Sequence, residues 1–589
     1  MTENERIADI KEAYKEAVDG WAHVYDAATD DIKFVYDVDD GQWPEHIRSQ
    51  RQNDGRPVLT VNKLQKTLRR IRGDHKMNPS SIRVLPVDDK ADPQVAELYN
   101  GIIREIEYLS NAPIAYDTAY NHALSSSVGF FRLVTVYEEG DTFEQSIRIK
   151  RIVNPMSVHF DPYAQEFSLE DARYCFVEDM LDKKLFKRLY PKAEIQDFDS
   201  SSVATIFGDW MQQDKVRVAE YFYKENRKRR IVELRDGTVI PVEKKLTIDA
   251  LKELGHEIVR ERQVDVETLK WVKLNGAEIL DEGEWPTSDI PIIPMFGDEV
   301  VVDGKRYYIS LARGAKDPQR MYNYWATAAT ETVALTPKAP FIVDHRQIKG
   351  FETEWDEANR INRMYIRYNA VAGLQKPSRE PQGQVPTAIM GMMQATAYDV
   401  EDHLGQYESS KGEASNERSK VAIMARVQQS DKGTFLFVDN STRAKISAGR
   451  QIIKLIPKIY DTKRAMRIRG EDGSEQLVTV NNPVLGPNGE VVRQNDLTVG
   501  KYDLIATVGA SFSSKRQEMV ELMVNAMQYA PMLANVIAPL IFEYSDFPGS
   551  KEISEALKRQ TQIIQQQQQM AAQQGQQPSA MVPPGPPMQ

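Results

Sequence analysis

Between residues 95 and 137 the apolar residues change their period, and this limits the fold more than any other feature of the chain. Val95, Leu98, Ile102, Ile106 and Leu109 recur at three and four residues, the mark of an amphipathic helix, and Asp92-Pro93 supplies its start. A further helix is expected through Ala115–Ser127. From Gly129 the period becomes two. Gly129–Tyr137 (GFFRLVTVY), a turn over 138–142 and Ile147–Ile152 predict a β-hairpin. More strands are expected at Val216–Tyr223, Ile231–Leu234, Trp271–Leu274 and Glu278–Leu280, with Asp236-Gly237 and Asn275-Gly276 as tight turns. Residues 1–36 read as one charged helix entering an acidic turn, and Asn62–Asp74 as a helix with a basic face. The run Asp37-Val-Asp-Asp-Gly does not fit a calcium loop, because Gly41 comes one place early and no Glu closes it. The first 300 residues therefore form an α+β body.

Downstream, Pro291–Phe296 is extended and Lys316–Leu335 is a long helix ended by Thr336-Pro337. Residues 337–405 carry Gly, Pro and Gln punctuation and read as a small inserted module. Lys411–Gln429 is helical, Lys432-Gly433 breaks it, and a second helix starts near Asn440 with Pro457 inside it as a kink. Strands return at Leu477–Val480 and Tyr502–Val508. Helices follow at Ser514–Tyr529, within Pro531–Phe547 and over Lys551–Gln569, and the composition beyond about residue 574 predicts disorder.

The chain is acidic, with a formal net charge of −11 over 589 residues. Against that background Arg443–Arg469 holds nine Lys/Arg and a single acid, Asp461. A concentrated basic helix either meets a polyanion or forms a solvated face. The net charge argues against a dedicated coat over nucleic acid, though contact through one patch stays open. No apolar run reaches the ~18 residues of a membrane span, and the charged N-terminus has no apolar signal core. Cys175 is the only cysteine, so no internal disulfide forms, in keeping with a reducing compartment.

Chemistry-bearing motifs are absent. There is no phosphate loop, no nucleophile elbow and no zinc-binding helix; His256-Glu257 has no second His at the needed spacing. Eight scattered His and one Cys do not make a zinc site. Neither catalytic residues nor a cofactor or metal is expected. Tyr322, Tyr324 and Trp325 fit packing better than base stacking, since helical spacing alone produces such a cluster, and Lys228–Arg230 fits a solvated strand or turn better than a phosphate contact.

The order of elements and several stretches together resemble the portal proteins of tailed bacteriophages, in the short-tailed branch found in the Salmonella phages. The stretches are RPVLTVN (56–62), IRVLPVDDKADP (82–93), EYLSNAPIAYD (107–117), IRIKRIVNP (147–155), DARYCFVE (171–178), KDPQRMYNYW (316–325), NERSK (416–420) and YDLIATVGASFSSKRQE (502–518). The resemblance implies an α+β multidomain portal fold. Its wing would be 1–315, its first stem helix 316–336, its clip 337–405 and its second stem helix 406–430. A channel loop and kinked helix would span 431–464, wing return strands 465–513, a crown 514–550, a short barrel helix 551–574 and a disordered tail 575–589.

The implied function is a dodecameric ring at one capsid vertex that passes double-stranded DNA during packaging and ejection. The implied partners are the large terminase, the tail adaptor protein, and the major capsid and scaffolding proteins. The implied location is the virion, reached through the host cytoplasm, without a membrane. Candidate DNA-facing residues are Arg426, Lys432, Arg443, Lys445 and Arg450, while Lys463–Arg469 would point outward to capsid or a neighbouring subunit. A channel should not grip a moving polyanion, so the basic window need not face DNA throughout. The alternatives are a metal-dependent nucleic-acid-processing enzyme of phage assembly and a smaller head–tail adaptor.

Overall fold

The computed structural model describes residues 2–77, 80–87, 92–138, 142–193, 215–235, 239–242, 257–275, 278–335, 341–358, 361, 363–379, 387–405, 420–470, 475–485, 491–507, 513–529, 534–543 and parts of 553–560; side chains are not described at 420–433. The turn residues at 236–237 and 276–277, the helix start at 411–419 and everything beyond 560 lie outside this set.

Helix α1 spans Glu3–Tyr36. A capping box at Thr2 and Glu5 opens it, and Asp37, in the left-handed region at φ 53°, closes it. It lies across three cores, its last turn entering one of them through Phe34 and Val35. Its first half packs Ile10, Tyr14, Ala17 and Val18 on one sheet face, and its second half packs Trp21, Val24, Tyr25 and Ala28 on another. The helices α2 (Glu45–Asn53), α3 (Lys63–Met77), α4 (Pro93–Leu109) and α5 (Ala112–Ser126) follow, with the short strand β1 (Ser81–Pro86) between α3 and α4.

The hairpin expected from the two-residue period is present. Strands β2 (Val128–Tyr137) and β3 (Gln145–Arg151) pair antiparallel from Phe131↔Arg151 to Tyr137↔Gln145. A later strand, Ile292–Phe296, pairs on the other side of β2 and completes a three-stranded sheet. The alternation has a physical purpose, since both faces of this sheet are covered. Phe131 and Leu133 enter a core made with α4 and α5, while Val128 and Phe130 enter the core beneath α1. This explains why GFFRLVTVY begins as a nearly continuous apolar run.

A six-stranded sheet forms the rest of the body: β4 (Val158–Phe160), β5 (Tyr174–Asp182), β6 (Lys215–Leu234), β7 (Val239–Val242), β8 (Ile258–Leu274) and β9 (Ile279–Trp285), with β7 pairing on β6. The two strands expected at 216–223 and 231–234 are one strand, because β6 stays paired to β8 from Ala219↔Leu274 to Leu234↔Ile258. Lys228–Arg230 lies in that ribbon, largely exposed. After the 292–296 strand, here β10, a hairpin of β11 (Asp298–Val302) and β12 (Lys305–Ile309) leads into α6 (Lys316–Leu335).

Three expectations need correction. First, 337–405 contains a helix, α7 (Thr387–His403), and among the described residues it is the helix that packs along α6. Second, the break at Lys432-Gly433 does not occur: α8 runs from Lys420 to Ile459 without interruption. A glycine in a helix interior costs only about 1 kcal/mol against alanine, less than the packing of the following turns returns. Residues 431–439 are helical, so they make no loop here. Third, Pro457 sits in the last turn of α8, with only Lys458 and Ile459 after it. A bend there has no helical arm to redirect, which removes its value as a kink.

The chain divides into two compact units. One holds Met1–Asp74, Ile82–Tyr407 and Lys432–Ile505, and the other holds His75–Ser81, Glu408–Asp431 and Ala506–Gln589. The second contains α9 (Ser513–Tyr529) and α10 (Ala534–Glu543), with Ser554 Oγ donating to the Pro539 carbonyl at 2.8 Å. In the first, β13 (Arg464–Arg469) and β14 (Glu475–Val480) form a hairpin after α8. Gly101 of α4 permits that hairpin to pack closely, since a Cβ there would meet Ile468 at 2.8 Å.

Candidate channel and assembly site

The basic window is largely neutralised within the protomer. Arg443 is exposed and pairs with Asp439 one turn before it, at 2.8 Å. Arg450 reaches Asp503 at 3.4 Å, and Lys454 reaches Asp289 at 2.7 Å. Lys458 donates to the Pro286 carbonyl. Arg464 lies over the Tyr460 ring, 3.9 Å from its centre, and donates to the Gln145 carbonyl at 3.1 Å. Arg467 and Arg469 share Glu475, and Arg469 also stacks on Tyr108 at 3.7 Å. Within Lys463–Arg469, Lys463 and Arg467 are exposed, Arg464 is buried and Arg469 is half-buried.

Lys445 is the clearest departure. It is 6% exposed, with its ammonium 5.1 Å from the centre of the Tyr116 ring. Burial pulls its pKa down, against the opposing pull of Glu107 and Asp117. The Glu107 carboxyl is pushed up by the same burial and accepts a hydrogen bond from Tyr116 at 2.9 Å. Lys445 is thus held inside the protomer, between α8, α4 and α5. Arg426 and Lys432 lie on the α8 backbone, and their side chains are outside the described residues.

What the structure does bring together is a polar ladder on α6. Gln319, Asn323, Thr327 and Glu331 stand four residues apart and so line one side of the helix. The first three are fully buried, and they bind the extended segment that precedes α3. Gln319 Oε1 accepts from the backbone N–H groups of Lys63 and Leu64 at 3.0 and 3.1 Å, and its Nε2 donates to the Val61 carbonyl at 2.9 Å. Asn323 Oδ1 accepts from Val61 N–H at 3.0 Å. Thr327 both accepts from Leu59 N–H and donates to its carbonyl, each at 3.3 Å. Glu331 receives Arg51 at 2.8 Å and Arg56 at 2.6 Å.

The ladder also closes the start of α3, whose first N–H groups would otherwise have no partner. Gln319→Leu should cost about 2 kcal/mol by orphaning buried backbone donors, seen as a lower midpoint in urea unfolding, while the isosteric Gln319→Glu tests whether the donated bond to Val61 matters. The sequence reading singled out Tyr322, Tyr324 and Trp325 on this helix and passed over the ladder, although four polar residues at a constant spacing of four were legible. Tyr322 is buried under Lys63, and Tyr324 packs edge-on to Trp325 at 5.4 Å.

The N-terminus of α6 is welded to the end of α1. Asp31, 0% exposed, accepts from Ser310 Oγ at 2.7 Å and from Arg313 at 2.8 and 3.0 Å, and Lys316 Nζ lies 2.6 Å from its other oxygen. Further along, large apolar side chains stay exposed on the α6–α7 pair: Met321 and Tyr324 on α6, Met390 and Tyr398 on α7. Between the two helices, Met364, Tyr365 and Tyr368 stand out in solvent. Their segment is held at its flanks, where Trp355 Nε1 donates to the Arg367 carbonyl at 2.7 Å and Arg363 pairs with Glu357 at 2.6 Å.

An exposed apolar strip on a helix pair and a displayed aromatic segment are the features this part of the protein presents. The family model of the phage P22-like portal protein matches residues 11–588. A protein named portal protein, from Acyrthosiphon pisum secondary endosymbiont phage 1, is 24% identical over 528 residues, covering 86% of this chain and 73% of the relative. With almost every residue inside the family match, this chain belongs to the phage P22-like portal protein family.

Proposed function

We propose that the chain assembles as a closed ring of about twelve copies at one capsid vertex and serves as the conduit for double-stranded DNA. The end-to-end family match carries this reading. In it, α6 and α7 are the two stem helices, and their exposed Met321, Tyr324, Met390 and Tyr398 are covered by the next copy in the ring. The segment between the helices is the clip. Its displayed Met364, Tyr365 and Tyr368 form the docking point for the large terminase during packaging and for the tail adaptor afterwards. The body is the wing, which meets the major capsid and scaffolding proteins, and residues 514–550 are the crown; the barrel helix expected at 551–574 falls largely outside the described residues. Arg443 and Arg450, exposed but each held by a carboxylate, contribute little grip on passing DNA, and Lys445 contributes none.

No covalent step is required of the chain in this role. Electron microscopy of the purified protein with a parallel mass measurement tests the reading. The expected result is a closed ring with a hole of at least ~20 Å and a mass of about 0.8 MDa, twelve times 67.1 kDa. A compact dimer at high protein concentration, or metal-dependent cleavage of DNA by the pure protein, would overturn it in favour of a processing enzyme.

A further inference from the structure

Helix α3 carries a set of positive charges that the protein leaves uncompensated. Its apolar stripe, Leu64, Leu68 and Ile71, is buried in the core made with α4 and α5. The opposite side presents Lys66 and Arg69 to solvent, flanked by the half-buried Arg70 and Arg72. None of these four has an ion-pair or hydrogen-bond partner among the described residues. This is unusual in a chain with 86 carboxylates against 75 Lys and Arg, and it contrasts with the 443–469 window, where nearly every cation has a partner. The acid at the end of this face, Asp74, already has an interaction of its own.

A second observation concerns Gly73, which continues the exposed line of Lys66 and Arg69 around the helix. Its φ is not positive, and a Cβ there would meet nothing within 4 Å. Neither packing nor backbone conformation calls for glycine at this helical position, where it weakens the helix. Its effect is to leave the backbone bare at the C-terminal end of the cationic face, where a bulky ligand can come close.

We infer that the α3 face of Lys66, Arg69, Arg70 and Arg72, with Gly73 as its bare step, is a contact surface for the phosphate backbone of duplex DNA. The four residues span about 9 Å of helix axis, and a duplex presents on the order of five phosphate charges over that length. The charges lie on one helix, and the contact is assigned to the phosphates, which every sequence presents alike. The choice of ligand rests on the conduit reading above; the surface itself does not. Within that reading, α3 rather than the basic window is where the protein holds DNA electrostatically.

The test uses the full-length protein and a fluorescent duplex of about 30 base pairs, with binding followed by anisotropy over a salt series. The combined variant Lys66→Gln, Arg69→Gln, Arg70→Gln should bind at least tenfold more weakly. Its plot of log affinity against log salt should be shallower by about 2 to 3. Gly73→Leu should fold, since the space is open, and should weaken binding with the salt slope nearly unchanged. The control, Arg443→Gln with Arg467→Gln, should leave both readouts as in the parent.

Circular dichroism and ring mass, measured on each variant, separate the outcomes. An unchanged salt slope in the α3 variant, or an equal loss in the control, overturns the inference. Lost ring mass with intact DNA binding overturns it too, and assigns the face to an acidic surface of a second copy. A parent protein that forms the ring yet shows no salt-dependent binding of the duplex overturns the α3 inference while leaving the ring standing.

Discussion

Replacing Asp31 with alanine is expected to destabilise the protein by about 3 kcal/mol, because it leaves Arg313 without its carboxylate and Lys316 with only the exposed Asp30. Asp31 is the shared acceptor for Ser310, Arg313 and Lys316, and these four residues join the last turns of α1 to the first turn of α6. Urea unfolding at neutral pH should show the loss as a lower midpoint. Ser310→Ala should cost only about 1 kcal/mol, since it removes one neutral donor. Combining Asp31→Ala with Arg313→Met and Lys316→Met should recover part of the loss, because removing a whole buried ionic cluster is cheaper than breaking it. If Asp31→Ala alone unfolds with the parent's midpoint, the weld is not where α6 gets its position.

A loss of similar size is expected from Glu178→Ala. Glu178 lies beneath the first half of α1, where Tyr14 donates to it at 2.5 Å, His159 Nε2 stands 3.1 Å away and Arg217 Nε 3.4 Å away. All three neighbours are buried. Burial alone would push the Glu178 carboxyl up, but the His159, Arg217 and Tyr14 interactions outweigh it and hold the group below its ordinary value. The same burial, with the Glu178 charge beside it, pushes the Tyr14 hydroxyl up, so it stays a donor. The direction of the pH effect follows. A carboxyl held below its unfolded value adds stability that is fully present above about pH 4.5 and is lost as pH falls through its native value. Glu178→Ala should cost about 3–5 kcal/mol at pH 7 and less as the pH is lowered below 4.5, so the two unfolding curves should draw together. Curves that stay parallel down to pH 3 would show that the carboxylate has no preferred charge state in the fold.

These effects lie in places that the sequence reading did not single out, and the reason is physical. Periodicity reports which face of an element is buried, so the amphipathic α4, the β2–β3 hairpin, α6 and the long α1 were all legible. Gly and Pro report local cost, and local cost loses to packing. Gly433, a local break signal, lies inside α8, and Pro457, a local kink signal, lies in its last turn. The helix α7 escaped notice because its Met, Gly and Ala residues bury little and show no clear stripe. Arg464 and Arg469 were read as outward because charge is usually solvated, and they turn inward because Tyr460, Tyr108 and Glu475 wait there.

By itself, then, the sequence determined that this is a mixed α and β protein, which residues face its cores, that it carries no recognisable catalytic motif, and, through stretches spread over most of its length, the portal family. Those properties depend on neighbours in the chain, on apolar period and on residue order. The tertiary structure alone decided which charges are free. Lys445 and Lys66 are the same residue type on two basic helices, and only long-range contacts distinguish them. Glu107 and Tyr116 lie more than 300 positions from Lys445 and bury it, whereas none of the described residues pairs with Lys66. Charge is local to a residue, but its compensation is a property of the fold, because Coulomb attraction acts between groups that the chain brings within a few ångströms whatever their separation in sequence.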